Sequence, residues 1–364
     1  MSYKSIKDAL YSDVVIDSFL LSIVDTPQFQ RLKRVKQLAL VSHVFSSAEH
    51  SRFAHSIGVC HLATQFMHGL ARRQPELGIT PRQIQLVGCA GLVHDLGHGP
   101  FSHAFDTLLL PNLKEHEMQT MTQHEERSCF IFRYLVKKYQ VAMTLGEVET
   151  VCRMVCPRAE DGFLFQIVCN ARSGIDVDKL DYIRRDCHGT GLKFDVETER
   201  ILAEARVIEG TICWPLKLYR DISAVYTARR KLHEICYNHP VVVGIELLVA
   251  DVLILAAKGG SYNVGKWIAM AMLHSDSVLE RIRNSNCEEL LDARLLLLRL
   301  DRRQLYKKTN EVSPIYKRVV SGVSSPPEQV FFDKKTQKCR TMPLDVSPPR
   351  SEIFYYQKEG KLHV

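Results

Sequence analysis

The sequence predicts a mainly α-helical protein that ends in a short tail of mixed helix and strand. Apolar residues recur at helical spacing through most of the 364 residues, whereas alternation of period two is rare before the last fifty. A hydrophobic fraction of 46% and a charged fraction of 24% are typical of a soluble globular protein, and the length allows one large or two modest domains. We therefore expect a helical body over residues 1–310 and a short C-terminal region with a few strands over 311–364.

Local signals predict the elements in order along the chain. Residues 1–24 are expected to form short extended pieces. Thr26-Pro27 supplies a capping residue and a first-turn proline for a helix whose apolar side runs from Phe29 to Leu38. The other expected elements are helices over 55–73, 83–97, 145–156, 175–186, 197–209, 220–238 and 241–257, a helix through Leu135 opened by the capping-box pattern Thr122-Gln-His124-Glu125, and strands at Gln329–Phe332 and Ile353–Gln357.

Charge and cysteine usage narrow the class of protein. The formal net charge of +7 suits an anionic substrate such as a nucleotide, while nucleic acid is a possible but weakly supported partner. The eleven cysteines are scattered, and Cys152 and Cys156 lie one helical turn apart without a second pair, which argues against a zinc site there. The chain starts without the apolar core of a secretion signal, and the apolar run Pro240–Ala257 contains two carboxylates, as in a buried helix. We expect an intracellular protein, nuclear or cytoplasmic, with reduced thiols and no membrane partner.

The segment GLVHDLGHGPFSHAFD, residues 91–106, concentrates titratable side chains beside apolar sequence. Its imidazoles and carboxylates are His94, Asp95, His98, His103 and Asp106. Burying so many polar groups is costly unless they bind something, and transition metals favour mixed imidazole and carboxylate ligands. The alternative is that these histidines are ordinary core or surface groups, and the choice depends on whether further ligands exist elsewhere in the chain.

Further candidates lie far away, in RFAHSIGV around His55 and in GIDVDKLDYIRRDCH around Asp178. A histidine, a His-Asp pair and a distant aspartate are the ligand order of the HD superfamily of metal-dependent phosphohydrolases. Together with DTPQFQRLKRVKQL and LHEICYNH, these segments closely resemble the sterile-alpha-motif/HD-domain deoxynucleoside triphosphate triphosphohydrolase family. The resemblance runs from about Lys4 to about Lys307, covers only the catalytic portion of that family, and implies a multi-helix HD-domain fold over 1–310.

The resemblance implies a metal centre and a catalytic cluster. One transition metal (iron, zinc or manganese) would be held by His55, His94, Asp95 and Asp178, with Mg²⁺ accompanying the nucleotide. Read alone, Asp178 would more readily be a helix cap. The family positions that contact phosphates or transfer protons correspond to Arg52, His98, His103, Asp106 and His124. His124 matches the catalytic histidine, and whether it acts as general acid or phosphate contact stays open.

Two polar stripes at helical spacing form the expected substrate pocket. Lys179, Tyr182 and Asp186 fall on one face of a helix, as do Arg229, His233 and Tyr237 on another, although such stripes usually just face water. By resemblance, Lys179, Tyr182 and Arg229 contact the triphosphate. Tyr237 packs on the sugar, and Gln37 and Asp186 hold the 3′-hydroxyl, with Leu38 beside it. The full expected substrate-binding set is Gln37, Leu38, Arg52, His98, His103, Lys179, Tyr182, Asp186, Arg229, His233 and Tyr237.

The family is switched on by nucleotides that bind between protomers of a tetramer, so we expect a homo-oligomer, dimer or tetramer, with GTP or a deoxynucleotide as regulator. The matching positions are Lys4, Asp25, Gln30, Lys33, Arg303 and Lys307 for one nucleotide, and Val44, Phe53, Arg200, Lys217 and His239 for the second. In the first site Lys33 replaces an arginine. In the second site Pro215 and Pro240 replace basic residues, and Asp221 replaces an amide. We therefore expect the second regulatory site to be weakened or lost.

The expected reaction is hydrolysis of deoxynucleoside triphosphates to deoxynucleoside and inorganic triphosphate. Two alternatives stay open: a phosphohydrolase of the same scaffold that acts on monophosphates or cyclic nucleotides, and a nucleotide- or nucleic-acid-binding regulator with vestigial catalysis. The segment 39–47 replaces a glycine- and tyrosine-rich loop that borders the base in the family, so the base preference also stays open.

Overall fold

A computed structural model describes residues 3–112, 121, 123–158, 160–258 and 274–309, and the backbone of four further strands between 317 and 356. The described chain is mainly helical, as predicted. The helices are α1 (Ser18–Val24), α2 (Pro27–Gln30), α3 (Arg52–Arg73), α4 (Pro81–Val93), α5 (His124–Tyr139), α6 (Leu145–Val155), α7 (Val177–Thr190), α8 (Thr198–Glu204), α9 (Tyr219–Leu232), α10 (Pro240–Lys258), α11 (Val278–Arg283) and α12 (Leu291–Asp301).

The strands form three small sheets. They are β1 (Tyr3–Asp8), β2 (Ser12–Asp17), β3 (Arg206–Ile208), β4 (Thr211–Pro215), β5 (Lys307–Thr309), β6 (Lys317–Val320), β7 (Gln329–Phe332), β8 (Cys339–Met342) and β9 (Ser351–Tyr356). The first sheet is the antiparallel β1–β2 hairpin, which confirms extended structure near the start of the chain. The other sheets have the orders β3-β4-β7-β8 and β5-β9-β6, so the predicted C-terminal strands pair with strands of the preceding chain.

Helices α3 and α4 form the centre of the larger core, and their starts follow from local chemistry. Ser51 caps α3 by accepting a hydrogen bond from the backbone N–H of Ala54. Thr80 and Gln83 form a reciprocal capping box at the start of α4, with Pro81 in the first helical position. Helix α4 stops at Val93 instead of continuing to residue 97 as predicted, because the chain turns at the His94-Asp95 pair.

A second core surrounds α10, which is apolar on all sides. The helix is long and apolar enough to cross a membrane, but 67% of its most apolar window is buried inside the protein. Val243, Leu248 and Val252 pack with α11 and α12 and with the segment that follows the HD motif. These contacts match the predicted buried helix.

Two further predicted helices are shorter than expected. The helix that begins at Pro27 ends at Gln30 and tightens into a 3₁₀ turn, and the backbone at Val35 is extended. It ends there because Lys36 forms a β-bridge with Ser51. The helix predicted over 197–209 is confirmed only as α8, since the chain then forms the β3–β4 hairpin, whose turn places Gly210 at a φ of 73°.

Helix α5 begins at His124, as the sequence indicated, but its N-cap residue Gln123 makes no side-chain capping bond. Thr122, the residue predicted to cap the helix, lies outside the described residues.

Candidate metal centre

Three elements bring four donor side chains to one point. The second turn of α3 carries His55, the end of α4 presents His94 and Asp95, and the first turn of α7 carries Asp178. His55 Nε2 lies 3.0 Å from Asp178 Oδ1 and 3.2 Å from His94 Nε2. His94 Nε2 lies 3.4 Å from Asp95 Oδ1 and 3.6 Å from Asp178 Oδ1. The sequence-predicted ligands therefore converge, although the histidines and Asp178 are more than 80 residues apart in the chain.

The orientation of both imidazoles suits metal binding. His55 Nδ1 lies 2.8 Å from the carboxylate of Asp181, and His94 Nδ1 lies 2.8 Å from the carbonyl oxygen of Gly91. Both partners accept hydrogen bonds, so each Nδ1 carries the proton and each Nε2 turns a lone pair toward the shared centre. Ligands about 2.0–2.2 Å from one metal ion lie about 3.0–3.5 Å from their neighbours, which agrees with the donor separations here.

The electrostatics of the centre favour a cation. Burial opposes ionisation, yet Arg52 and the adjoining histidines hold the pKa of Asp95 well below its usual range. Burial would lower the pKa of His55, but the carboxylates of Asp178 and Asp181 outweigh it and raise this pKa to about 10. A buried pocket that holds several ionised carboxylates is stabilised by positive charge, either as protons on the histidines or as a metal ion.

Asp181 is a functional candidate that sequence reasoning missed. It is fully buried and accepts hydrogen bonds from Tyr11, at 2.8 Å, and from two nitrogens of Arg185, at 2.9 and 3.0 Å. Gly58 makes this approach possible, because a Cβ atom at that position would lie 2.0 Å from Asp181 Oδ1. Asp181 thereby fixes the ring of His55, and its spacing of three residues from Asp178 on α7 was the available sequence signal.

A second cluster of histidines adjoins the centre. The rings of His98 and His124 stack with centroids 3.9 Å apart, and His103 packs edge-on to both. Asp106 Oδ2 lies 3.4 Å from His124 Nδ1, and its other oxygen accepts a short hydrogen bond from Arg127. Four of the five predicted catalytic side chains, His98, His103, Asp106 and His124, are therefore in contact with one another, whereas Arg52 reaches the group through Asp95.

Within this cluster His98 is the deeply buried member. Burial, followed by the nearby Arg52 guanidinium and His124, holds the pKa of His98 well below its usual range, so its ring is neutral near pH 7. Its Nε2 lies 3.3 Å from Asp95 Oδ1, which connects the cluster to the metal centre. Arg52 bridges the same carboxylate, at 2.5 Å, and Ser102 Oγ, at 2.8 Å.

Buried charges hold the turn that carries His98. Arg31 donates to the carbonyl oxygens of Leu96 and His98, at 2.7 and 2.9 Å, and Arg127 donates to that of Gly97 at 2.9 Å. On the other side of the turn, both oxygens of Asp276 accept backbone N–H bonds, from Phe101 and Lys36. These three side chains, Arg31, Arg127 and Asp276, form a clamp on the turn. The clamp is needed because Phe101 and Ser102 both adopt left-handed backbone conformations, with φ of 62° and 54°.

The polar stripe on α7 lines one side of the expected pocket. Lys179 pairs with Asp176 at 2.8 Å, and although burial opposes it, Asp176 and Asp178 raise the pKa of Lys179, which therefore stays cationic. Burial raises the pKa of Tyr182 to about 12, while the nearby cations Arg229 and Lys179 oppose the shift. The two predicted stripes thus face each other.

The stripe on α9 continues into a π-helical turn over His233–Tyr237. The rings of His233 and Tyr237 lie 4.8 Å apart, and Tyr237 donates a 2.5 Å hydrogen bond to Asp186. The second oxygen of Asp186 lies 2.8 Å from His50 Nε2, a contact that the sequence did not reveal. Burial, followed by Arg229, lowers the pKa of His233 to about 4, so this ring is neutral.

In the expected substrate-binding set, Gln37 Oε1 and Arg229 Nε are buried without a hydrogen-bond partner in the described chain, and so is His98 Nδ1. Leu38 lies beside Gln37 and is 8% exposed. Unpartnered buried polar groups are rare in proteins and mark positions where a ligand would complete the hydrogen bonding.

The expected regulatory residues do not converge on one point as the metal ligands do. Lys33 lies over the ring of Phe53, with its Nζ 4.7 Å from the centroid, and Gln30 donates to the carbonyl oxygen of Val24. Arg200 pairs with Asp221 at 3.0 Å, and Lys217 pairs with Glu204 at 2.5 Å. The remaining members are placed on separate elements: Lys4 on β1, Asp25 at the end of α1, Val44 in the loop before α3, His239 before α10, Arg303 after α12 and Lys307 on β5.

The ligand order and the helical fold are similar to those of HD-domain proteins, and residues 52–186 match the family model of the HD domain. The chain is 34% identical over 350 residues to the deoxynucleoside triphosphate triphosphohydrolase SAMHD1 of Gallus gallus, a match that covers 85% of this chain and 56% of that protein. It is 33% identical over 380 residues to SAMHD1 of Homo sapiens, covering 91% of this chain and 60% of that protein. It is also 31% identical over 262 residues to the putative HD domain-containing protein L394 of Acanthamoeba polyphaga mimivirus, covering 68% of this chain and 56% of that protein.

Residues 52–186 therefore resemble an HD domain, and most of the chain is similar to part of the deoxynucleoside triphosphate triphosphohydrolases named above. It spans 56% to 60% of the length of the two SAMHD1 relatives described above. A metal-dependent site is implied by the HD domain, and His55, His94 and Asp178 are placed to bind a metal ion.

Proposed function

We propose that this protein hydrolyses deoxynucleoside triphosphates to deoxynucleoside and inorganic triphosphate. The convergence of His55, His94, Asp95 and Asp178 on one point beside a cluster of histidines is the observation that carries the proposal. The relatives named as deoxynucleoside triphosphate triphosphohydrolases support the choice of substrate.

In this proposal the four converging residues hold one transition metal (iron, zinc or manganese), and Mg²⁺ accompanies the nucleotide. When bound, such a metal would polarise phosphate oxygens and lower the pKa of a bound water to about 7. Imidazole together with carboxylate suits all three candidate metals.

The other residues of the site bind and orient the triphosphate. The planar guanidinium of Arg52 and the cations of Lys179 and Arg229 attract phosphate oxygens. Neutral His98 donates a hydrogen bond without adding charge, and His103 lies exposed at the mouth of the same cluster. His124, held near Asp106 at 3.4 Å, is the residue that would move a proton.

The deoxyribose would lie between Tyr237 and Gln37. Asp186 is fixed by Tyr237 and His50, so its carboxylate is held in place to accept a hydrogen bond from the sugar 3′-hydroxyl. The Tyr237 ring beside it would crowd a 2′-hydroxyl, which disfavours ribonucleotides.

We further propose that the second regulatory nucleotide site is weakened. Two of its retained cations, Arg200 and Lys217, are already paired with Asp221 and Glu204 of the same chain. A triphosphate would have to displace these carboxylates, and prolines at 215 and 240 offer no replacement charge. The protein would act as a homo-oligomer inside the cell, with activity that does not require GTP.

One assay tests the reaction and its regulation. Purified protein is incubated with each deoxynucleotide and ribonucleotide, with and without GTP, and the phosphate products are resolved. We expect intact inorganic triphosphate from deoxynucleotides, with hyperbolic kinetics in the absence of GTP. Release of monophosphate from nucleoside monophosphates or cyclic nucleotides would favour the alternative phosphohydrolase. Binding without turnover would favour a regulator, and sigmoidal, GTP-dependent kinetics would contradict the regulatory part alone.

A further inference from the structure

A cluster of three thiols lies on the opposite side of α5 from the metal centre. Cys129 is buried in the second turn of α5, Cys152 belongs to the last turn of α6, and Cys156 is the residue at which α6 ends. The sulfur atoms of Cys129 and Cys156 lie 3.9 Å apart, and Cys129 Sγ also donates to the carbonyl oxygen of Cys152 at 3.5 Å. This is direct contact between two thiols from different helices.

The thiols are accessible through a cavity of 780 Å³ that opens beside them. The cavity is lined by Cys129, Cys152 and Cys156 and also by Phe130 and Arg133. Cys156 is exposed, whereas Cys129 is 6% exposed. The Cys156 sulfur can therefore react with a dissolved reagent, and the Cys129 sulfur is buried next to it.

The backbone allows the remaining approach. A disulfide requires the sulfur atoms to close from 3.9 Å to about 2.0 Å. Cys156, the residue that follows the last helical residue of α6, has left the helical conformation, with φ of −119° and ψ of 69°, and its backbone N–H donates to the Cys152 carbonyl oxygen. Its side chain can therefore rotate toward Cys129, which is fixed in the middle of a helix.

We propose that Cys129 and Cys156 form a reversible disulfide that fastens α5 to the end of α6, with a small-molecule disulfide such as oxidised glutathione as the oxidant. The Cys156 thiolate attacks one glutathione sulfur, forms a mixed disulfide and releases one reduced glutathione. Cys129 then loses its proton, and its thiolate attacks the Cys156 sulfur of the mixed disulfide and releases the second glutathione, which takes up that proton. Two protein thiols are oxidised while one glutathione disulfide is reduced to two thiols, and both protons leave with the glutathione.

The surrounding charges support Cys156 as the attacking sulfur. The hydrogen bond from Cys129 lowers the pKa of Cys156, and Arg133 acts in the same direction, while burial and the carboxylates Glu125 and Glu126 oppose it. A thiolate is the reactive form in exchange, so the exposed member of the pair is also the more reactive one.

A metal site at these thiols is a weaker reading of the same cluster. Among the described residues, the groups of three or more donors that converge closely enough for one ion are the two histidine and aspartate clusters at the metal centre. The thiol cluster instead offers one close sulfur pair, which is the arrangement for a disulfide.

The test uses the whole protein in mixtures of reduced and oxidised glutathione. After equilibration, free thiols are blocked and the protein is digested without reduction. We expect a peptide linked through Cys129 and Cys156 that increases with the oxidised fraction and disappears on adding dithiothreitol. The Cys156→Ser variant should lose the linked peptide, while Cys287→Ser, which alters a thiol on another surface, should keep it.

The Cys152→Ser variant tests whether Cys152, and not Cys156, is the partner of Cys129. It should keep the peptide linked through Cys129 and Cys156. The proposal is overturned if wild-type protein shows no linked peptide even in fully oxidised glutathione, or if glutathione stays attached to Cys156 without resolution. It is also overturned if the link persists in Cys156→Ser through Cys152. Circular dichroism of each variant shows that the fold is kept, and the readout is independent of hydrolytic activity.

Discussion

At the scale of single residues, the site depends on carboxylates that orient other groups as much as on the groups themselves. Asp181 holds the ring of His55 from behind, and the same carboxylate is held by Tyr11 and Arg185. A metal-binding imidazole that is free to rotate spends less time in the binding orientation, so loss of such a partner weakens binding without removing a ligand.

The substitution Asp181→Asn should therefore lower the affinity for the metal ion by about 10- to 100-fold. The amide keeps the volume of the side chain but carries no charge to stabilise the His55 Nδ1–H group. Metal affinity is measured by titration with a competing chelator. The matched control is Asp161→Asn, because Asp161 is also held by an arginine fork, from Arg153, but lies away from the site. Equal affinities for the two variants would contradict this role.

Asp276 gives a pH-dependent prediction. Burial raises its pKa to about 6, above the ordinary value of 3.8, despite the bonds from Lys36 and Phe101. The native state therefore holds this proton more tightly than the unfolded chain, and the stability gained from it is present at low pH and is lost as the pH rises through 6. The stability advantage of wild type over Asp276→Asn should fall by on the order of 3 kcal/mol between pH 4 and pH 7.

Urea unfolding of both proteins across this pH range measures the difference directly. An advantage that grows with pH would show that the two backbone N–H groups, and not burial, determine the ionisation of Asp276.

At the scale of elements, close backbone contact positions the cluster of His98, His103 and His124. The turn after α4 meets the start of α5 at Gly97, where a Cβ atom would lie 2.0 Å from the carbonyl oxygen of His124 and 2.5 Å from the N–H of Ser128. Both obstructing atoms belong to the backbone of α5, so they cannot rotate away. The π-helical turn over Phe105–Leu109 is the corresponding irregular element on the other side, and it carries Asp106 toward the same histidines.

The substitution Gly97→Ala should therefore shift the first turn of α5 and reduce turnover at least about tenfold, by misplacing His124. The free energy of unfolding should fall by about 1–3 kcal/mol, as for other overpacked sites. The control is Gly162→Ala, since Gly162 has open space around its Cβ position and a φ of −68°. Turnover equal to that of the control would argue against this contact as a determinant of the site.

At the scale of the whole molecule, the sequence predicts the ligands better than their surroundings. The helix predicted over 55–73 is confirmed as α3, and the four separated metal candidates do meet. The clamp on the strained turn was not predictable, because Arg31 and Asp276 act on residues that are distant in the chain. No local pattern marks such a contact, since a buried arginine and a surface arginine look alike in sequence.

The same limit explains the shortened helix after Pro27 and the β3–β4 hairpin. Helical periodicity continues past Gln30, but the bridge of Lys36 to Ser51 gives the backbone a tertiary partner instead. The strand β4 is buried along its whole length and pairs with β7 more than a hundred residues later, so no alternation of period two marks it.

We propose that His55, His94, Asp95 and Asp178 hold one transition metal ion on which hydrolysis depends. The most direct measurement is the metal content of purified protein by mass spectrometry, compared between wild type, Asp178→Ala and the exposed-carboxylate control Asp292→Ala. We expect about one equivalent of iron, zinc or manganese in wild type and control. In Asp178→Ala we expect both the bound metal and the release of triphosphate to be lost. Full metal content or undiminished triphosphate release in Asp178→Ala would contradict this proposal.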